Sequence, residues 1–88
     1  MTDTPHKMRE RLERFHPVSL HIVDDSAAHA GHAGARSGGG HFHLTIVSEE
    51  FAGKGSVARH RMIYDALSDL MQKEIHALQI EAFTPEQL

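Results

Sequence analysis

The sequence contains no cysteine, so the chain can form no disulfide and can offer a metal ion only nitrogen or oxygen ligands. It also has no apolar run approaching the roughly 18 residues needed to span a bilayer. Met1–His16 lacks the apolar stretch of a secretory signal peptide. We therefore expect a soluble, cytoplasmic protein that does not associate with membranes.

The usual catalytic arrangements are missing as well. There is no cysteine nucleophile, no glycine-rich phosphate loop after a predicted strand, and no serine with a clear base and orienting acid. Asp24 and Asp25 are neighbours, but adjacent residues of an extended chain point to opposite faces, which argues against a general acid–base pair. The sequence predicts a protein that is not an enzyme.

Positive charge is scarce, whereas histidine is abundant. Nine Lys and Arg residues against twelve Asp and Glu give a net charge of −3, which is unfavourable for nonspecific nucleic-acid binding. Protonating all nine histidines would change that charge to +6. The surface therefore changes sign at mildly acidic pH, because an unperturbed imidazole titrates near ~6.5.

The length of 88 residues and the 40% apolar content allow one domain, residues 1–88, with one modest core. Apolar periodicity and capping residues predict five elements. They are a helix from Thr4 to about Phe15, strands Val18–Asp24 and His41–Ser48, a long helix from Ser56, and a third strand at about Ala77–Phe83. We expect residues 1–3 and 84–88 to be flexible and residues 25–40 to form a long Gly/His loop.

This α-β-β-α-β order predicts an α+β sandwich, with helices on one face of a three-stranded mixed sheet. The first two strands should pair antiparallel. The third should lie parallel to the second through a right-handed crossover. Because the second and third strands then start at the same end of the sheet, the topology predicts that His29, His32, His41 and His76 converge there.

Neutral imidazoles suit zinc, copper, iron and nickel, so convergent histidines form a candidate metal site. For His32 taken alone, a solvated loop residue is the simpler interpretation, and His41 could merely cap the hairpin. The same holds more strongly for the histidines outside this end of the sheet, His6, His16, His21 and His43. A candidate nucleic-acid surface lies at the start of the long helix, with Lys54, Arg59, His60 and Arg61, although such charges more often mark a solvated helix start.

Several motifs together resemble the BolA family over nearly the whole chain. They are Asp-Asp-Ser-Ala-Ala-His at 24–29, His-Phe-His-Leu at 41–44, Ile-Val-Ser at 46–48, Phe51 with Gly53, Arg-His-Arg-Met-Ile-Tyr at 59–64, and Ile-His-Ala-Leu at 75–78 with Thr84-Pro85. The pairing of the Arg-His-Arg helix start with Ile-His-Ala-Leu is the most specific part. The resemblance implies a fold similar to class II KH domains.

The resemblance also implies a partner, a monothiol glutaredoxin, and a [2Fe–2S] cluster held between the two proteins in iron–sulfur trafficking or iron sensing. The glutaredoxin and its glutathione would supply the thiolates. This chain would supply His76 and a loop histidine, which maps to His29, with His32 as a near neighbour. Without its partner we expect a monomer or a weak homodimer.

Some members of the family are described as transcriptional regulators, which keeps DNA binding by Lys54, Arg59 and Arg61 as the alternative function. The KH backbone clamp is Gly-X-X-Gly. Here the corresponding turn reads Gly53-Lys54-Gly55. This departure weakens the case for RNA binding but leaves specific DNA binding open.

Overall fold

The computed structural model describes residues 4–25, 40–71 and 73–88. Its main elements are helix α1 (Thr4–Leu12), strands β1 (Ser19–Asp24) and β2 (Gly40–Val47), helices α2 (Ser56–Ala66) and α3 (Ser68–Met71), and strand β3 (Ile75–Phe83). Short 3₁₀ helices occupy Glu13–Phe15, Glu49–Phe51 and Pro85–Gln87. Within the described ranges, no helix has both the length and the apolar character needed to cross a membrane.

The three strands form one mixed sheet in the order β1-β2-β3. Strand β1 pairs antiparallel with β2, and β2 pairs parallel with β3. The α+β class and both strand pairings are therefore as the sequence predicts. The carboxyl end of β1 and the amino ends of β2 and β3 meet at one end of the sheet, which we call the histidine end because His41 and His76 lie there.

The helices cover one face of the sheet. Alternate residues of β2 point into the core from this inner face, and the helices contribute the facing side chains. The buried residues of this core include Met8, Leu12 and Phe15, then Phe42, Leu44 and Ile46, and then Ile63, Ala66, Leu67 and Leu70. The opposite, outer face carries the remaining alternate residues, among them His21, His41, His43, Thr45 and Glu81.

The helix bounds differ from the predicted ones in two places. The α-helix predicted to reach Phe15 ends at Leu12 and tightens into a 3₁₀ helix, after which His16 takes a left-handed conformation with φ of 48° ahead of Pro17. The predicted long second helix is divided at Leu67 into α2 and α3. This division keeps Leu67 and Leu70 in the core while Asp69 faces Arg11 of α1, at 2.8 Å.

Ser48 joins three segments at the end of the sheet opposite to the histidine end. Its buried hydroxyl donates a hydrogen bond to the Phe15 carbonyl and accepts one from the Glu50 amide. Its own amide donates to the Phe83 carbonyl at 2.9 Å. The end of the first helical segment, the end of β2 and the end of β3 are thus held together by one residue.

Two exposed carboxyl groups meet where the second and third 3₁₀ helices come together. The pKa of Glu49 is raised above its usual value, chiefly by a hydrogen bond with Glu86 and then by the negative charge of Glu86. A raised carboxyl pKa means that the folded state binds a proton more tightly than the unfolded chain does. This contribution to stability is therefore present at low pH and is lost as the pH rises through the folded-state pKa.

We expect Glu49→Gln to raise the melting temperature at pH 7, because it removes the repulsion between the two carboxylates and keeps an amide that can donate to Glu86. The gain should disappear below about pH 4, where the unperturbed glutamate is also protonated. Thermal unfolding of the variant and the wild type across this pH range tests it, with Glu50→Gln as the neighbouring control. An equal effect of the two substitutions, or one independent of pH, would contradict the assignment.

Candidate metal centre

A break in strand register determines how the histidine end is built. Gly40 pairs with Ile75 and His41 pairs with Ala77, so His76 is an extra residue opposite this step of β2. Such a bulge changes which face the following side chains occupy. The sequence predicts a third strand starting at Ala77, but β3 starts at Ile75, so that prediction is wrong by two residues and His76 lies inside the strand.

The bulge allows two side chains of β3, Ile75 and Leu78, to lie on the same face of the sheet, which regular alternation would not allow. Ile75 is 3% exposed and belongs to the core, and Leu78 packs against the same core although it is three residues further on. An odd spacing on one face requires one extra residue between them. Because that residue is His76, its imidazole is exposed instead of buried beneath the helices.

The exposed ring of His76 lies beside that of His41. The two ring centroids are 5.3 Å apart and the ring planes are inclined at 42°. Two imidazoles that bind one metal ion at bond lengths of ~2.0–2.1 Å place their ring centres at about this separation, because each centre lies roughly 1 Å beyond its nitrogen. The parallel topology predicts that His41 and His76 meet, and the structure brings them together.

The segment that carries His29 and His32, residues 26–39, lies outside the described residues, so their predicted positions stay predictions. Both flanks of that segment belong to the histidine end. The Asp25 amide donates to the His41 carbonyl at 2.8 Å, and the Gly40 amide donates to the Glu74 carbonyl at 2.8 Å. A cavity of about 90 Å³ is lined in part by Asp25 and His41.

Glu74, next to the bulge, connects the histidine end to helix α1. Its carboxylate accepts hydrogen bonds from the Thr4 hydroxyl at 2.8 Å and from the Lys7 ammonium at 2.9 Å. The hydrogen bond from Lys7 lowers the pKa of the Glu74 carboxyl most, and the hydrogen bond from Thr4 lowers it further. Nothing in the sequence pattern indicates this contact, because the partners are 67 and 70 residues apart along the chain.

The other described histidines make different contacts or lie on other elements. His43 is on the outer face, with its Nε2 3.1 Å from Glu81. His21 is exposed on β1, and His6 lies 3.9 Å from Glu10 on α1. Among the described residues, no group of three or more His, Asp or Glu side chains is close enough to hold a metal ion. The donors that the structure brings together are therefore His41 and His76.

At the start of α2, Arg59 makes contacts within the chain. Its guanidinium donates to the Lys54 carbonyl at 2.8 Å, the Ala82 carbonyl at 2.9 Å and Gln87 Oε1 at 2.7 Å. It therefore joins the helix start to the exposed edge of β3 and to the last 3₁₀ helix. These contacts use three of the five N–H donors of the guanidinium, on Nε and Nη1, which leaves at most the two donors of Nη2 for a phosphate group.

The other two candidate nucleic-acid residues are placed differently. Lys54 and Arg61 are exposed. Lys54 lines a cleft of about 440 Å³, together with Ser56 and His60, and the guanidinium of Arg59 lies at its wall. Arg61 lines a separate surface depression next to Tyr64. The basic surface is thus composed of two accessible cations on either side of a structural arginine.

A three-stranded mixed sheet with helices on one face and an exposed histidine in a bulge of its edge strand defines a small α+β protein in which two imidazoles, His41 and His76, lie side by side at one end of the sheet. The family model described as BolA-like protein matches residues 12–87 of this chain. The chain belongs to the BolA family, and the resemblance seen in its motifs is confirmed.

Individual relatives support this assignment. The chain is 47% identical over 88 aligned positions to SufE-like protein 1, chloroplastic/mitochondrial, of Arabidopsis thaliana, covering 93% of this chain but only 24% of that protein. It is 39% identical to the DNA-binding transcriptional regulator BolA of Escherichia coli, covering 88% of this chain and 75% of that protein. The solved BolA domain of SufE1 from Arabidopsis thaliana superposes with a TM-score of 0.84 at 43% identity, covering 100% of this chain and 99% of that chain.

The internal contacts of Arg59 generate a prediction about stability. Arg59→Ala should lower the free energy of unfolding by about 1–3 kcal/mol, because charged hydrogen bonds from one donor group to three acceptors are lost. Arg61→Ala, an exposed site two positions away, should change it by less than about 0.5 kcal/mol. Urea unfolding measures both variants. Equal effects would mean that the Arg59 contacts add nothing to stability.

Proposed function

We propose that this chain is a non-enzymatic adaptor that pairs with a monothiol glutaredoxin and binds a bridging [2Fe–2S] cluster through histidines. In this role it would take part in iron–sulfur trafficking or iron sensing. The observation that carries the proposal is the bulge that exposes His76 beside His41 at one end of the sheet.

The chemistry of the available donors fits such a shared cluster. Iron–sulfur clusters are usually held by thiolates, but imidazoles replace two of them in Rieske centres. This chain has no cysteine, so the thiolates would come from the glutaredoxin and its bound glutathione. Imidazole is a weaker electron donor than thiolate, so histidine ligation would give the cluster a higher reduction potential than an all-thiolate one.

Accessibility also favours His76 as the principal ligand. Strand β3 is an edge strand of the sheet, and His76 is exposed near its start. A partner can therefore bring its own ligands to this imidazole without displacing a helix or a neighbouring strand. The second ligand would come from the segment 26–39, where His29 is the first candidate and His32 the second.

His76→Ala should remove the heterodimer cluster or shorten its lifetime by at least about tenfold, because loss of a direct ligand should cost no less than loss of a second-shell contact. The experiment mixes the chain with a monothiol glutaredoxin and glutathione without oxygen and follows visible absorption and circular dichroism. His43→Ala is the matched control, since His43 is also on the outer face but has Glu81 as its neighbour.

A wild-type cluster spectrum and lifetime in His76→Ala would refute the ligand assignment. An equal loss in His43→Ala would instead point to a general requirement for the outer face. Urea unfolding of both variants separates either result from misfolding, since neither imidazole belongs to the buried core.

DNA binding is the second candidate function. It is favoured by the 39% identity to a relative named as a DNA-binding transcriptional regulator and by the exposed cations Lys54 and Arg61. If it operates here, Lys54→Ala and Arg61→Ala should each lower the affinity and reduce the salt slope by roughly one unit per lost phosphate contact. The absence of sequence-specific, salt-dependent binding by the wild-type chain would eliminate this function.

A further inference from the structure

Glu74 is attached on three sides immediately before the bulge. Its carboxylate accepts from Thr4 and Lys7 of α1, its carbonyl accepts from the Gly40 amide of β2, and its own amide donates to the Leu70 carbonyl of α3. The Glu74 side chain is only 19% exposed, whereas that of Lys7 is 39% exposed. This group of contacts is more shielded from water than the other ion pair between α1 and the α3–β3 region, Arg11 with Asp69, whose side chains are 33% and 56% exposed.

The contacts of Glu74 fix the part of the ladder where the register changes. The Gly40–Glu74 hydrogen bond lies directly beside the break between the pairs Gly40–Ile75 and His41–Ala77. A shift of one residue in a strand transfers each side chain to the other face of the sheet. Such a shift would turn Ile75 away from the core and His76 towards it, so the position of Glu74 determines on which face the His76 imidazole lies.

We propose that Glu74 is a positioning residue for His76, held in place by Lys7 and Thr4, so that the first turn of α1 controls the presentation of the metal-binding imidazole. The effect on cluster binding rests on the function proposed above. The effect on the bulge does not, because it concerns only the chain without a metal.

The structure offers a matched comparison for this proposal. Lys7→Met removes the cation that holds Glu74 and retains an apolar side chain, while Glu74→Gln removes the charge and retains the size. Arg11→Met breaks the ion pair in which the Arg11 guanidinium contacts Asp69 at 2.8 Å. Arg11 and Asp69 affect Glu74 only through their charges, and not through a hydrogen bond of its carboxylate. Lys7→Arg restores a cation and serves as the conservative variant.

The first measurement is amide hydrogen exchange at Gly40 in the chain alone, together with the NMR signals of the His76 ring. Lys7→Met and Glu74→Gln should increase the Gly40 exchange rate about tenfold and shift the ring signals, because the local opening becomes easier. Arg11→Met should alter Gly40 exchange by less than about twofold, since its contact lies elsewhere. In Lys7→Arg the Gly40 exchange rate should be close to the wild-type value.

The second measurement is the lifetime of the cluster shared with the glutaredoxin, which should be shorter in Lys7→Met than in Arg11→Met at equal global stability. Unchanged Gly40 exchange and His76 signals in both Lys7→Met and Glu74→Gln would overturn the proposal. Equal changes in Arg11→Met would also overturn it, because they would reflect general destabilisation. If the proposed function alone is wrong, the Gly40 and His76 effects persist while His76→Ala leaves the cluster intact.

Discussion

The extra residue in β3 opposite Gly40 and His41 is the constraint on which the histidine end depends. The core requires Ile75 and Leu78 on the same face, and their odd spacing forces the intervening backbone out of regular pairing. The burial of Ile75 thereby determines that His76 is exposed. A packing requirement on the inner face thus exposes the His76 imidazole on the outer face.

Polar contacts at the two ends of the sheet then fix the positions of the elements around this bulge. At the histidine end, Glu74 joins α1 to the start of β3. At the opposite end, Ser48 joins the first helical segment to the ends of β2 and β3, and Arg59 satisfies a carbonyl on the exposed edge of β3. Because buried or shielded polar groups are costly when unpaired, these contacts specify one arrangement of the helices on the sheet.

The periodicity of the sequence predicts the element order, the strand pairings and most of the core. It identifies Leu44 and Ile46 as inward-facing and the stripe containing Ile63 and Leu70 as the buried side of the second helix, and these residues are buried. It misplaces the start of β3, because strict alternation from Leu78 would put Ile75 outside the core. A bulge follows from tertiary packing, which a single-strand pattern does not contain.

The candidate site was predictable to a similar extent. Parallel pairing of β2 with β3 is enough to bring His41 and His76 to one end of the sheet, but the 5.3 Å approach of their rings depends on the bulge. The structural role of Arg59 was not predictable, because its acceptors at Ala82 and Gln87 are distant in sequence. From sequence alone, its place beside the apolar stripe of the helix predicts only that it is partly packed.

In the proposed function, an imidazole of this chain binds iron in the shared cluster. The most direct measurement is pulsed electron paramagnetic resonance of the reduced heterodimer in which only this chain carries ¹⁵N-labelled histidine. We expect a strong ¹⁵N coupling to the cluster that is present in the wild type and in His43→Ala but is lost, or replaced by a different coupling, in His76→Ala. A reduced cluster with no coupling to the labelled histidines would contradict it and would make this protein a neighbour of the cluster without being its ligand.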